Sequence, residues 1–207
     1  MNQPCVLSSS YFPPIAWFSL AIRAEKITLD IHEHYTKQTW RNRCRIAGAN
    51  GPLDLIIPVK TLGNHTAMKD VKMDYSTNWQ RVHWHAIRPA YGKSPFFEFY
   101  ADRLAPLFQQ QPEHLITWNQ NCLKIVLSSC KMKIETEVTE DYIEIPNEEP
   151  DYRTLISPRA EIPLTIVPQK EYIQVFQERH TFQQNLSILD LLFCVGPETA
   201  NFAKIDQ

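Results

Sequence analysis

Alternating hydrophobic and polar positions predict strands toward both ends of the chain. Residues 27–31 alternate and contain β-branched side chains, a pattern typical of a strand. Residues 43–47 and 53–59 flank a turn that contains Gly51, so together they predict a hairpin. The other predicted strands are residues 5–7, 70–74, 134–138, 162–167 and 172–176.

Hydrophobic residues spaced every three or four positions predict helices in the middle of the chain. Residues 79–90 carry one such stripe, formed by Trp79, Val82, His83, Ala86, Ile87 and Ala90. Residues 96–109 and 112–128 have the same periodicity, and so have two shorter segments at 15–24 and 186–194. The last of these ends at Gly196 and Pro197, which commonly stop a helix.

This order of elements predicts an α/β domain, with α+β as the alternative. We expect a mixed β-sheet, a central block of about three helices, and short helices near the N- and C-termini. The chain has 207 residues, which suits one domain over residues 1–207.

Composition narrows the class of protein. The net charge is −2, which disfavours nucleic-acid binding because that activity needs a surplus of cations. No apolar run approaches the roughly 20 residues that span a bilayer, so no membrane span is predicted. The five cysteines are odd in number and lack Cys-x-x-Cys spacing, which favours a reducing, cytoplasmic location.

His83 is the polar exception on an otherwise apolar helical stripe. A buried imidazole needs hydrogen-bond partners, because an unsatisfied polar group in the core costs stability. One interpretation is a general acid or base in a pocket, since the pKa of histidine lies near neutrality. The other is a core histidine whose hydrogen bonds are satisfied.

A cationic, aromatic run at residues 37–45 indicates anion recognition. Strand alternation places Asn42 on the same face as Trp40, whereas Arg43 lies on the opposite face together with Arg41 and Arg45. All of these side chains can serve one pocket only if the chain bends near Trp40. Otherwise one of the two faces is structural.

Lys93 follows the first long helix and precedes the next, where an anion could also use free helix amides. Glycine-rich nucleotide loops are absent, and no cofactor is identified. His32 and His34 lack a third ligand, so no metal site is predicted. Ser8, Ser9 and Ser10 follow the first strand, where open α/β sheets tend to place ligands.

Several segments together resemble the WbqC-like protein family, and the resemblance covers nearly the whole chain. They are residues 11–14, Tyr35 with Lys37, residues 40–43 and 57–59, Trp79 with His83, residues 90–95 with Phe97, and residues 185–198. Many members have a pair of acidic residues where this chain has Ile31 and His32.

The resemblance implies a bacterial cytoplasmic protein, because the family is named from O-antigen and other surface-polysaccharide gene clusters. The cationic, aromatic and histidine positions in the matching segments lead to the hypothesis of a transferase of small acyl or aminoacyl groups acting on an anionic or sugar-linked small molecule. The family match favours Asn42 and Arg43 as the functional pair, and it leaves Arg41 and Arg45 as solvated charge. His83 would be the general base, Arg43 and Lys93 would hold an anionic group, and Asn42 would orient the substrate. Trp40 or Tyr91 would stack on a ring, and Tyr11 is a further substrate-binding candidate.

Two alternatives remain open at this stage. The same residues could form a non-catalytic binding or interaction protein that recognises a sugar phosphate or another anionic ligand. Hydrolase-like chemistry would instead require Ser8, Ser9 or Cys44 beside His83. The oligomeric state does not follow from the sequence.

Overall fold

The structure, a computed structural model, describes residues 5–61, 63–146 and 148–205. Within these ranges it is an α/β fold with both parallel and antiparallel strand pairs, as predicted. The strands are β1 (Cys5–Ser8), β2 (Lys26–Asp30), β3 (Arg43–Gly48), β4 (Gly51–Ile56) and β5 (Glu135–Val138). The prediction of one domain over residues 1–207 also includes positions 1–4, 62, 147, 206 and 207, which lie outside the described residues.

Helices connect and cover these strands. They are α1 (Ile15–Ala24), α2 (Trp79–Tyr91), α3 (Phe97–Leu104), α4 (Leu115–Ser129), α5 (Tyr152–Leu155), α6 (Ile188–Val195) and α7 (Thr199–Phe202). Short 3₁₀ turns occupy Met68–Asp70, Ala105–Gln109, Leu164–Ile166 and Gly196–Glu198. None of the described helices is both long enough and apolar enough to cross a membrane.

A three-stranded parallel sheet in the order β1-β2-β5 positions the candidate site. Helix α1 connects β1 to β2, which suits a parallel pair because parallel strands need a crossover connection. Ser8 pairs with Asp30, and Leu29 pairs with Val138, so the carboxyl ends of all three strands lie at one edge.

Strands β3 and β4 form the predicted antiparallel hairpin. Gly51, the first residue of β4 after the two-residue turn, has a φ of +109°, which is accessible to glycine and strained for other residues. Arg43 and Arg45 share one face of β3, as alternation predicts, and both bind Asp54 on β4.

The central helices bury an aromatic core against the hairpin and α6. The predicted stripe on α2 is narrower than expected, because Val82 is exposed whereas Trp79, His83 and Ile87 are buried. Trp79 packs edge-on against Trp118 of α4, with ring centroids 5.1 Å apart. The predicted helix over 96–109 is α3 followed by a 3₁₀ turn.

Three strand predictions are wrong. Residues 70–74 make separate backbone hydrogen bonds to several segments, such as Lys60 N to Lys72 O, rather than one ladder. Residues 162–167 contain a 3₁₀ turn. Residues 172–176 contain no strand, because Tyr172 and Gln174 alternate inward to bind Asp190 by side-chain hydrogen bonds.

Candidate functional site at the carboxyl edge of the parallel sheet

A pocket of about 520 Å³, which we call the carboxyl-edge pocket, lies beyond the carboxyl end of β2. Its walls come from the segment after β2, from the segment before β3 and from the chain around α5. The lining residues are His32, Glu33, His34, Thr36, Arg41, Tyr142, Asp151, Arg153 and Thr154. This is the position where open α/β sheets usually bind ligands.

Asp30, the last residue of β2, is fully buried and organises the edge of the pocket. Its Oδ1 accepts hydrogen bonds from the backbone amides of His32 and Glu33 at 3.0 and 3.1 Å. The hydroxyl of Thr139, which follows β5, donates to the same oxygen at 3.1 Å. Asp30 therefore fixes the turn that directs Glu33 into the pocket.

Glu33 and Arg41 form a buried ion pair with two hydrogen bonds. Arg41 Nε donates to Glu33 Oε1 at 2.9 Å, and its Nη2 donates to Oε2. Ser8, at the end of β1, also donates to Oε2 at 3.1 Å. Burial raises the pKa of the Glu33 carboxyl, and the neighbouring Arg41 and Ser8 offset part of that shift.

Arg153 on α5 ties the loop over the pocket to the sheet. Its Nη1 donates to Asp30 Oδ2 and to the carbonyl of Ile143, the latter at 2.8 Å. Its Nε and Nη2 donate to the two oxygens of Asp151, both at 2.9 Å. The guanidinium also lies 4.9 Å from the Tyr142 ring centroid. Both guanidinium groups of the pocket are thus engaged by carboxylates.

Asn119 of α4 anchors the segment that carries Arg41. Its Nδ2 donates to the carbonyl of Arg41 at 2.8 Å and to the hydroxyl of Ser9 at 3.2 Å. This single buried amide connects the central helices, the end of β1 and the wall of the pocket. The packing of the core therefore determines where Arg41 lies.

The expectation that Arg41 and Arg45 are solvated is wrong for Arg41, which is only 6% exposed. The strand begins at Arg43, and the chain turns through residues 37–42, so Arg41 does not follow the alternation of β3. Arg45 is half-buried: its guanidinium binds Asp54 and lies 5.4 Å from the Trp40 ring centroid. The bend near Trp40 is what allows a cation to lie over that ring.

His83 lies in the core, away from the lining of this pocket. It is 4% exposed, and its Nδ1 is 3.1 Å from the hydroxyl of Tyr11. A further hydrogen bond joins it to the backbone of Ile56. Desolvation lowers the pKa of His83 to about 4, so its imidazole is neutral at pH 7. These partners include neither a serine nor a cysteine, which is what hydrolase-like chemistry would have required.

The remaining predicted residues near the run at 37–45 have partners within the fold. Trp40 and Asn42 are buried, and Asn42 Nδ2 donates to the carbonyl of Ile57 at 2.8 Å. Arg43 is half-buried and donates to Asp54 Oδ2 at 2.9 Å. The backbone amide of Tyr11 donates to the carbonyl of Trp40 at 2.9 Å. The structure thus brings Tyr11, His83 and Trp40 together around the hairpin.

Tyr91 and Lys93 occupy different environments despite their proximity in sequence. Tyr91 is fully buried, and its hydroxyl accepts a hydrogen bond from the Ala47 amide at 3.1 Å. Lys93 is exposed and lines a second pocket, formed with residues 173–179 and Cys194. It does not line the carboxyl-edge pocket.

His34 and His65 approach each other near the rim, with 3.4 Å between their Nδ1 atoms. In the part of the chain that the structure describes, no group of three histidine, cysteine, aspartate or glutamate side chains could hold a metal ion.

Asp30, Glu33, Arg41 and Arg153 are the pocket residues that the sequence analysis missed. Open sheets bind ligands at the carboxyl ends of their strands, and Asp30 ends the strand beside the one that Ser8 ends. That rule could have identified Asp30 and Glu33. Arg153 lies in a predicted loop far along the chain, and nothing in its local sequence distinguishes it.

The fold and this pocket define an α/β protein with a buried ion-pair network at the carboxyl edge of a parallel sheet. The chain belongs to the WbqC-like protein family, whose model matches residues 8–162. It is similar to an uncharacterised protein of Mycobacterium tuberculosis, Rv1507c, with 26% identity over 229 aligned residues that cover 99% of this chain and 98% of that protein. No solved structure matches the chain significantly.

Proposed function

We propose that this protein transfers a small acyl or aminoacyl group to a sugar during assembly of a bacterial surface polysaccharide of the O-antigen type. The acceptor would bind in the carboxyl-edge pocket, and the protein would act in the cytoplasm on small molecules rather than on nucleic acid. The family to which the chain belongs supports the biological setting.

The observation that carries this proposal is the environment of Glu33. This carboxylate lines the pocket together with Arg41, and both Arg41 and Ser8 donate hydrogen bonds to its oxygens. Burial raises the pKa of Glu33, which makes it a stronger base than an exposed glutamate, and Arg41 favours its ionised form. A base held in one orientation is what abstraction of a proton from an acceptor requires.

In the proposed step, an amine nitrogen or hydroxyl oxygen of the acceptor attacks the carbonyl carbon of the donor's acyl group. The new C–N or C–O bond forms while Glu33 accepts the acceptor's proton. The bond between the acyl carbon and the donor's leaving atom then breaks. That leaving atom takes the proton from Glu33, so the carboxylate is regenerated.

We assign the base to Glu33 rather than to His83. Both side chains are 4% exposed, but the hydrogen bonds of His83 go to Tyr11 and to the backbone of Ile56 within the core. A general base must reach the proton that it removes, and Glu33 lines a pocket whereas His83 does not. The roles predicted for Trp40, Asn42, Arg43, Tyr91 and Tyr11 are not part of this step.

The second candidate function is a non-catalytic protein that binds a sugar phosphate or another anionic ligand. The observation that favours it is that both guanidinium groups of the pocket are already paired with carboxylates. Arg41 and Arg153 are bound to Glu33, Asp30 and Asp151, which makes a rigid polar surface for capturing hydroxyl groups. Such a surface suits the hydroxyl groups of a sugar phosphate rather than its phosphate group, and it binds them without requiring a proton transfer.

Turnover can be tested with acetyl-CoA as an acyl thioester, glycyl adenylate as an aminoacyl donor, and a set of amino sugars and nucleotide sugars as acceptors. Mass spectrometry would detect the acylated product. We expect Glu33→Gln to reduce the rate about 100-fold or more, because removal of a general base typically costs that much. Glu137→Gln, which changes an exposed glutamate on β5, should leave the rate unchanged.

Glu33→Gln also leaves Arg41 buried without its carboxylate, so folding must be checked by circular dichroism and thermal unfolding. Glu33→Asp keeps the charge and should remain folded with an intermediate rate. Full turnover by a folded Glu33→Gln variant would overturn the assignment. Thermal stabilisation by a sugar phosphate, with no product from either donor, would favour the binding protein instead.

A further inference from the structure

A second pocket, of about 810 Å³, lies between the link from α2 to α3 and the segment before α6. Lys93 and Pro95 line one side, residues 173–179 line the other, and Cys194 of α6 lies between them. The segment 173–179 is held near the hairpin turn, because His180 Nε2 is 3.0 Å from the carbonyl oxygen of Ala49. The pocket therefore lies by the end of β3, whereas the carboxyl-edge pocket lies by residue 41, before β3 begins.

Two cations at this pocket have no carboxylate partner. Lys93 and Arg179 are exposed, and neither forms an ion pair with any residue that the structure describes. Glu178 supplies one carboxylate among the lining residues, so the lining keeps a net positive formal charge. This differs from the carboxyl-edge pocket, where Arg41 and Arg153 are both paired.

The wall opposite Lys93 also carries apolar side chains. Ile173 is 83% exposed, and Val175 and Phe176 are half-buried beside it. A branched aliphatic side chain next to an aromatic ring offers a surface for a planar or aliphatic group.

The wall is held rigidly by the residue beneath it. Gln174 Nε2 donates to Asp190 Oδ2 at 3.0 Å and to the carbonyl of Gln183 at 2.9 Å, and its Oε1 accepts from the Gln183 amide at 2.9 Å. Gln174 is therefore fixed facing inward, and the alternation of the chain directs Ile173 outward. Pre-organisation of this kind reduces the entropy that a ligand must overcome on binding.

We propose that this pocket binds an organic phosphate, with its phosphate groups at Lys93 and Arg179 and its planar or aliphatic body against Ile173 and Phe176. The volume of the pocket is in the range usual for small-molecule sites. Two unpaired cations suit a diphosphate, because each can make charge-assisted hydrogen bonds to it. The inference holds whether or not the protein catalyses group transfer.

Isothermal titration calorimetry with ADP, using the full-length protein, tests the proposal directly. We expect saturable binding that weakens about tenfold or more in Lys93→Ala and in Arg179→Ala, because each removes a charge-assisted contact. Ile173→Ala should weaken ADP binding without changing the weaker binding of inorganic pyrophosphate. All three side chains are exposed, so these variants should remain folded.

Lys124→Ala is the matched control, because this exposed lysine lines a different groove between α4 and β5. It should bind ADP as the unaltered protein does. No saturable binding, equal weakening by Lys124→Ala, or equal affinities for pyrophosphate and ADP would each overturn the proposal. If Glu33→Gln loses turnover but still binds ADP, the ADP site is independent of the transfer reaction.

Discussion

The hydroxyl oxygen of Tyr11 lies 3.1 Å from Nδ1 of His83, and the two rings are nearly parallel, with 5.7 Å between their centroids. Trp79 packs edge-on against the other side of the imidazole, at 5.0 Å. This pair joins the turn after β1 to helix α2. It explains how a polar residue fits on the apolar face of that helix.

His83 should make the protein less stable in mild acid. Its pKa is about 4 in the folded protein, against an ordinary value of 6.5, because burial disfavours the imidazolium. Between these values the unfolded chain binds a proton that the folded protein does not. The free energy of unfolding therefore falls as pH falls from 6.5 to 4, by roughly 3 kcal/mol in total.

Urea denaturation at several pH values between 7 and 4 measures this slope. His83→Gln should have a flatter pH dependence than the unaltered protein, because glutamine does not titrate. Other acidic groups contribute equally to both curves and cancel in the difference. Parallel curves across the whole window would show that His83 does not titrate as its burial indicates.

Asp190 should be replaceable by asparagine without loss of stability. Burial raises the pKa of this carboxyl, which accepts hydrogen bonds from Tyr172 Oη at 2.5 Å and Gln174 Nε2 at 3.0 Å. An asparagine carbonyl can accept both bonds without the cost of burying a charge. Asp190→Asn should therefore unfold at the same or a higher urea concentration at pH 7.

Asp190→Ala removes the acceptor of the Tyr172 and Tyr91 hydroxyls and of one N–H of Gln174, whose other N–H keeps the Gln183 carbonyl, and should cost about 1–3 kcal/mol. Because the pKa of Asp190 is raised on folding, its contribution to stability is present below pH 3.8 and declines as pH rises. The advantage of Asp190→Asn should therefore grow from pH 4 to pH 7. An advantage that shrinks over this range would contradict the direction of the pKa shift.

Local periodicity predicted the fold well where side chains pack in regular elements. Helix α1 has the predicted bounds, and the hairpin has the predicted turn. Alternation misled at residues 172–176, where Tyr172 and Gln174 face inward to hydrogen-bond with Asp190 while Ile173 faces solvent. The alternation at residues 172–176 comes from polar side chains that face inward to bind Asp190, and not from pairing in a sheet. Because Asp190 is distant in sequence, the local pattern does not distinguish these two cases.

The carboxyl-edge pocket was less predictable because its parts are far apart in sequence. Ser8 and Asp30 end neighbouring strands, so strand order alone would have suggested that they meet. Arg153 reaches Asp30 across 123 residues, a distance over which no local pattern carries information. Arg41 was misassigned because a cation in a charged run is normally solvated, and its partner Glu33 is eight residues away in a turn.

Arg153 should be among the residues on which stability depends most strongly. Arg153→Leu leaves Asp30, which is fully buried, without its counter-charge, and breaking a buried ion pair in this way typically costs 3–5 kcal/mol. The same change releases the carbonyl of Ile143 and the ring of Tyr142. Amide hydrogen exchange should therefore accelerate in residues 140–155.

Lys26→Ala provides the comparison for Arg153→Leu, because Lys26 pairs with Glu135 and Glu137 at the surface of the same sheet. Such exposed pairs are screened by solvent and contribute little to stability. Asp30→Asn combined with Arg153→Leu should cost less than the sum of the two single changes. Additive losses would mean that the two residues do not stabilise each other.

Gly196 ends α6, and it should not tolerate a side chain. Its φ is +55°, which strains any residue with a Cβ, and a Cβ built there would lie 2.5 Å from carbon atoms of the Phe96 ring. Gly196→Ala should therefore cost roughly 2–4 kcal/mol, combining backbone strain with overpacking. In a Phe96→Ala background the clash is absent but the backbone strain remains, so Gly196→Ala should cost less stability there than in the unaltered protein. Gly63→Ala serves as the control, because a Cβ there would lie 3.9 Å from Thr66 Oγ1 and should change stability by less than about 0.5 kcal/mol. Thermal unfolding of the four variants measures these differences, and equal losses for Gly196→Ala and Gly63→Ala would contradict the role of the positive φ and of the Phe96 ring.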